Sequence, residues 1–232
     1  MNTGDRYRGR LFSILGDSLS TLDGYSIPSG AAFYSGMMRL QSGVLLPRDT
    51  WWGRVIDQLG GELLVNDSFS GSTVSRRPGC EIESYGCSDG RTSSLHREGV
   101  SPDVIFVLLG MNDWGCGARV TPESESDEGD LSVFSVAYTE MLLKLKKNYS
   151  SAEIWCFTFP VSRLGEDRDF PYLRGGIHIE RYCDAVRACA SECGCRLIEL
   201  YRPSEPHDTV DGFHPNADGM RELADAVLSQ IR

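Results

Sequence analysis

An α/β fold on a mostly parallel, five-stranded sheet covered on both faces is predicted by three features of the chain. Its short apolar runs are continuous rather than alternating, and glycine, aspartate, asparagine or proline bounds each of them. Amphipathic stretches of helical period lie between or after them. The runs 11–15, 63–65, 104–109, 154–159 and 196–200 predict the strands. The helical patterns cover 50–59, 131–147, 179–193 and 215–231, and a weaker candidate at 91–98 stands alone in the glycine- and serine-rich interval before the third strand. Right-handed crossovers then bring every strand's C-terminal end to one edge, where open α/β sheets bind ligands. With 232 residues, 41% of them hydrophobic, the chain reads as a single domain over 1–232. The segment 19–49 is too long for an ordinary βα connection and is expected to be either functional or a cover.

The formal net charge of −10 repels nucleic acid and anionic membranes, so neither is an expected partner. The first ten residues are polar, and the apolar run after them is too short for a signal core or a membrane span, so a soluble, cytoplasmic chain is expected. Eight cysteines, at 80, 87, 116, 156, 183, 189, 193 and 195, lack paired zinc spacing and are expected to stay reduced. Cys183, Cys189 and Cys193 fall on one helical stripe with Ile179, Tyr182 and Val186, which predicts core-facing thiols. The acidic run 123–130 reads as a solvated loop.

Chemistry gathers where strands end. The first strand runs into Gly16-Asp17-Ser18, the second leads through Asn66-Asp67-Ser68 to Gly71, and the third runs into Gly110-Met111-Asn112-Asp113. Near the C-terminus, Asp211 stands three residues before His214, with Pro215 suited to a helix's first turn. Acyl transfer needs these residue types. A serine hydroxyl is a weak nucleophile until an imidazole takes its proton, and a carboxylate on the other ring nitrogen fixes the tautomer. This makes Ser18 the candidate nucleophile, His214 the base and Asp211 its orienter. The oxyanion requires preorganised neutral donors, for which the Ser18 and Gly71 amides and the Asn112 side chain are suited. Asp17, Asp113 and Trp114, their neighbours in sequence, are expected to contact substrate.

The ordered blocks Gly16-Asp17-Ser18-Leu19-Ser20, Gly71, Gly110-x-Asn112-Asp113 and Asp211-x-x-His214-Pro215 resemble the four sequence blocks of the SGNH (GDSL-type) hydrolases, spanning 11–215. The resemblance implies a flavodoxin-like three-layer α/β/α sandwich, no required cofactor or metal, and hydrolysis of small-molecule esters through an acyl-serine. It also implies the same roles for Ser18, Gly71, Asn112, His214 and Asp211. Acylated saccharides are among the candidate substrates. The same fold also hosts lysophospholipases, thioesterases, acyltransferases and, where catalysis is lost, carbohydrate- or lipid-binding modules.

Rival signals are weaker. Gly86-Cys87-Ser88-Asp89-Gly90 matches Gly-x-Ser-x-Gly, but the polar residues before it predict no strand, so it reads as a loop. Four histidines, at 96, 178, 207 and 214, supply no ligand set for a two-metal site. Among the basic residues, Arg39, Arg48, Arg119 and Arg163 are candidates to meet a polar leaving group. The pair Trp51-Trp52 is expected to split between core and surface.

Overall fold

The computed structural model describes residues 6–27, 31–77, 85–163 and 170–231. The chain start, Cys80 and most of the stretch before Gly86 fall outside them. Strand β1 spans Leu11–Gly16 and is followed by helix α1 (Gly36–Ser42), helix α2 (Trp51–Gln58) and strand β2 (Glu62–Ser68). Next come α3 (Asp89–Ser93), β3 (Val104–Leu108), α4 (Met111–Cys116), α5 (Phe134–Asn148) and β4 (Glu153–Phe157). A small antiparallel hairpin, β5 (Leu173–Arg174) and β6 (Ile177–His178), precedes α6 (Ile179–Glu192), β7 (Arg196–Ile198) and α7 (Ala217–Leu228).

Five strands form one sheet in the order β2-β1-β3-β4-β7, every neighbouring pair parallel. From β1 the chain moves outward to β2, then returns across to β3 on β1's other side. The connections therefore diverge between the C-terminal ends of β1 and β3, the position where doubly wound sheets open a crevice. Gly16 lies beside both Ser68 and Leu108 at that edge.

Strand alternation divides the core in two. Val104, Phe106 and Leu108 of β3 pack in one cluster with Trp51 and Val55 of α2 and Leu223 and Val227 of α7. Ile105 and Val107, with Leu109 just beyond the strand, join Phe134 and Met141 of α5 and Tyr182 and Val186 of α6 in the other. Cys183, Cys189 and Cys193 are buried in that second cluster, as their helical stripe predicts. The result is a three-layer α/β/α sandwich.

Several local expectations are corrected. Trp51 and Trp52 both point inward, at 0% and 1% exposure, because the segment after β1 covers them; their indole N–H groups donate to Ser20 Oγ at 3.2 Å and Ser20 O at 3.0 Å. Pro215 does not open α7. Asn216 takes the cap, its side chain accepting from Gly219 N at 2.9 Å, so the proline stands before it. The acidic run 123–130 is solvated as expected except at Asp127, which turns inward to accept from Glu123 N at 2.9 Å and to pair with Arg119 at 2.8 Å, and at half-buried Asp130. The weak 91–98 helix begins earlier, at Asp89, because Ser88 caps it by accepting from Arg91 N.

Gly110, between β3 and α4, has φ +129, and a Cβ there would lie 2.5 Å from Phe159 Cζ. Strain and overpacking together should make Gly110→Ala lose roughly 2–4 kcal/mol of stability, measured by urea unfolding. A loss below about 0.5 kcal/mol would mean that this turn tolerates a side chain.

Candidate active site

Ser18 is delivered by a tight turn rather than a nucleophile elbow. A Cβ on Gly16 would come within 2.7 Å of Ser68 Oγ and 2.9 Å of Ser20 Cβ, so only glycine lets β1 end this close to β2. Asp17 then caps a single 3₁₀ turn, Ser18–Ser20, its Oδ1 accepting from Leu19 N at 3.0 Å. Ser18 opens that turn at the crevice edge.

His214 arrives from the other end of the chain. Its Nε2 lies 2.9 Å from Ser18 Oγ, and its Nδ1 lies 2.7 Å from Asp211 Oδ2. The Asp211 loop is fastened from within: Oδ1 accepts from Phe213 N at 3.0 Å and His214 N at 2.8 Å, and Val210 N donates to His214 O at 2.9 Å. From outside, Ser162 Oγ donates to Gly212 O at 2.6 Å. The 19–49 segment closes the third side. Phe33 stacks on the imidazole with ring centroids 3.5 Å apart at 12°, and Tyr34 Oη donates to Pro215 O at 2.8 Å.

Gly71 turns the loop after β2 with φ +79, in open space. This loop is tied to the serine turn by Phe69 N donating to Gly16 O at 3.2 Å, and to the third strand's loop by Asn112 Nδ2 donating to Ser72 O at 2.9 Å. The asparagine amide has a second N–H, which that bond leaves available. Sequence reasoning missed the tie beneath these loops. Arg91, buried on α3, donates to Ser72 Oγ at 2.7 Å, Asp67 O at 2.6 Å and Gly16 O at 3.1 Å, and pairs with Asp67 at 3.1 Å. The Gly-x-Ser-x-Gly segment thus has a structural use: its serine starts the helix that carries this arginine. An arginine straight after a cap signal in a glycine-rich stretch was the available clue.

Ser18, Asn112 and His214 line a cavity of about 160 Å³, with Asp17, Leu19, Met111, Trp114, Gly115, Arg174 and Phe213. Gly71 stands one residue beyond the Asn112 contact and is not among the lining residues. Trp114 lines the cavity from a nearly buried position, its indole N–H donating to Ile177 O at 3.2 Å. Asp113 does not reach it, which corrects the expectation of substrate contact. At 0% exposure its carboxylate is occupied by Val74 N at 2.7 Å, Ser75 N at 3.0 Å and Ser75 Oγ at 2.5 Å, holding the loop after Gly71. Asp17 borders the cavity but is 1% exposed and acts as the cap described above. The four arginines singled out from sequence are absent from the lining: Arg39 donates to Leu45 O, Arg48 sits in the short turn Pro47–Asp49, Arg119 pairs with Asp127 and Asp130, and Arg163 pairs with Asp208. Arg174, which sequence reasoning passed over, is the cation at the cavity.

Burial sets the charges. It pushes His214 below the ordinary histidine value, against the upward pull of the Asp211 hydrogen bond and charge, so the imidazole is neutral at pH 7 and can accept a proton. Burial raises Asp211, but hydrogen bonds from His214 N, Phe213 N and the imidazole outweigh it, and its carboxyl stays below the usual range. Burial also lifts Asp17 to about 7 and Asp113 to about 6. Among the described residues no group of three or more His, Cys, Asp or Glu side chains is placed to hold a metal ion, and no helix is long and apolar enough to cross a membrane.

Comparison with known proteins agrees with this architecture. A solved structure from Bacteroides ovatus, described as a GDSL-like lipase, superposes with a TM-score of 0.71 at 27% identity, covering 95% of this chain and 97% of that one. A second, from Bacteroides uniformis and of the same description, gives 0.70 at 26%, covering 96% and 95%. A family two carbohydrate esterase from Clostridium thermocellum shares the fold at 0.58 and 17% identity, covering 97% of this chain and 64% of that one. No curated protein matches. The GDSL-like lipase/acylhydrolase family model matches residues 10–162, about two thirds of the sequence, and the chain belongs to that family of hydrolases.

Proposed function

We propose that the protein is a serine esterase acting on short acyl esters, with Ser18 as nucleophile, His214 as base and Asp211 as its orienter. The observation that carries this reading is the unbroken line Asp211 Oδ2, His214 Nδ1, His214 Nε2, Ser18 Oγ, with contacts of 2.7 and 2.9 Å. Serine donates its proton to Nε2 as Oγ attacks the ester carbon, and the imidazolium then protonates the departing alcohol. Water, deprotonated by the same nitrogen, next attacks the acyl-serine, and Ser18 leaves with the proton returned. Charge on the carbonyl oxygen is met by the Ser18 and Gly71 N–H groups and the second Asn112 amide proton. No step uses a cofactor. The proposed organisation is one catalytic domain over the whole chain, with the 19–49 segment buttressing the base through Phe33.

The cavity's size supports a short acyl group, since about 160 Å³ is well below the ~300–1,000 Å³ of pockets that enclose drug-sized ligands. Acetyl esters, O-acetylated saccharides among them, fit that limit. With 4-nitrophenyl esters, kcat/KM is expected to fall from acetate to octanoate. Octanoate turning over faster than acetate would overturn the short-acyl reading. A fluorophosphonate probe should label Ser18 in the folded wild-type protein, and failure to label would leave a non-catalytic binding module as the better account.

A further inference from the structure

Arg174 lies at the cavity rim on a hairpin built to hold it. Its guanidinium carbon is 5.3 Å from the centroid of the Trp114 ring and 5.3 Å from that of Phe213. The hairpin turns on Gly175 and Gly176, at φ +56 and +80, and pairs Arg174 with Ile177. The Trp114 indole fastens it to α4 through Ile177 O at 3.2 Å. Two aromatic faces thus fix the guanidinium without using its N–H groups, because cation–π attraction engages the charge and leaves the five donors available. Among the described residues Arg174 makes no ion pair and no side-chain hydrogen bond, although the chain carries 33 acidic residues against 23 basic ones. Its neighbours in the cavity lining are Ser18, Asn112 and His214.

A guanidinium fork held on two aromatic faces, paired with no carboxylate among the described residues and set beside Ser18, is arranged for an anion brought by the substrate. We propose that Arg174 is an anion subsite, and that the ester turned over at Ser18 carries a carboxylate on one of its two halves. The inference rests on the reading of Ser18 as nucleophile and narrows its substrate class. The Trp114 and Phe213 rings place the guanidinium beside the cavity before substrate arrives, which limits the ordering cost of engaging an anion. The negative field of the whole protein disfavours anions at other faces, so this rim cation also decides where one can approach.

The test compares two matched ester pairs on the full chain. Phenyl acetate and 4-acetoxybenzoate differ by a carboxylate on the alcohol half; 4-nitrophenyl butyrate and 4-nitrophenyl hydrogen succinate differ by one on the acyl half. The readout is the ratio of kcat/KM for the charged member to that for the neutral one, in wild type, Arg174→Lys and Arg174→Gln. Removing a charge-assisted hydrogen-bond donor should lower this ratio about ten- to hundredfold in Arg174→Gln for one of the pairs, mainly through KM, with Arg174→Lys retaining part of it. The pair that responds identifies which half bears the anion. A ratio unchanged in both pairs, or an equal loss for charged and neutral members, would assign Arg174 a packing role and overturn the subsite. If wild type turns over the neutral esters without any charge sensitivity, the esterase reading stands and this inference alone falls; if it turns over none of the four, both fall.

Discussion

Ser18→Ala and His214→Ala are each expected to lower kcat for 4-nitrophenyl acetate by about 10⁴- to 10⁶-fold, with the double variant no slower than the worse single one. Non-additivity follows from the geometry. In the proposed mechanism the 2.9 Å contact makes Ser18 and His214 one device: without the imidazole the serine proton would have no acceptor, and without the hydroxyl the imidazole would have nothing to activate. What survives in both variants is binding and oxyanion stabilisation by donors on other loops. Circular dichroism separates this from unfolding, because neither side chain is part of the two core clusters. An Ser18→Ala protein that keeps its activity within tenfold would remove Ser18 as nucleophile. Multiplying losses in the double variant would show two independent routes rather than one.

The fold was legible because β3 is apolar at every position and its neighbours β1 and β4 are broken only by Ser13 and Glu153, which is what strands covered on both faces must approach, and because helices of 3.6 period lie between them. All five sheet strands were found within a few residues of their ends. The short elements escaped. Helix α4 contains Gly115 and only six residues, and its start is fixed by Gly110 approaching two phenylalanine rings rather than by a hydrophobic stripe. The hairpin β5–β6 has two residues per strand, too few for any periodicity, and Arg174 was missed with it.

At the site, the serine and asparagine segments were visible as glycine- and aspartate-marked strand ends, and the histidine as an Asp-x-x-His turn ahead of the last helix. Their mutual distances were not, because these depend on strand order. Asp113 shows the limit of sequence adjacency. It follows Asn112 directly, yet one helical step turns it from the cavity to the loop after Gly71, where backbone N–H groups occupy both oxygens. Phe33 is the converse, far from His214 in sequence and stacked upon it in space.

Asp211→Asn should separate orientation from mere support of the loop. Oδ1 accepts from the Phe213 and His214 amides, and an asparagine carbonyl oxygen can keep both bonds, so the turn should persist. The other position then presents an N–H donor to His214 Nδ1, where the carboxylate now accepts at 2.7 Å. Nδ1 must become the acceptor, the proton moves to Nε2, and Ser18 faces a donor instead of a base. A loss of about 10³- to 10⁴-fold in kcat is expected from this reversed tautomer. The pH profile supplies the second signature. In wild type the acid limb should lie below pH 6.5, because burial lowers the His214 value while Asp211 pulls it upward. Activity is present above that limb, where the imidazole is neutral, and is lost as pH falls through it. Removing the carboxylate's charge withdraws the upward pull, so the residual activity of Asp211→Asn should persist to lower pH than wild type. An acid limb that moved upward, or a kcat within tenfold of wild type, would mean that Asp211 neither orients the imidazole nor stabilises its charged form.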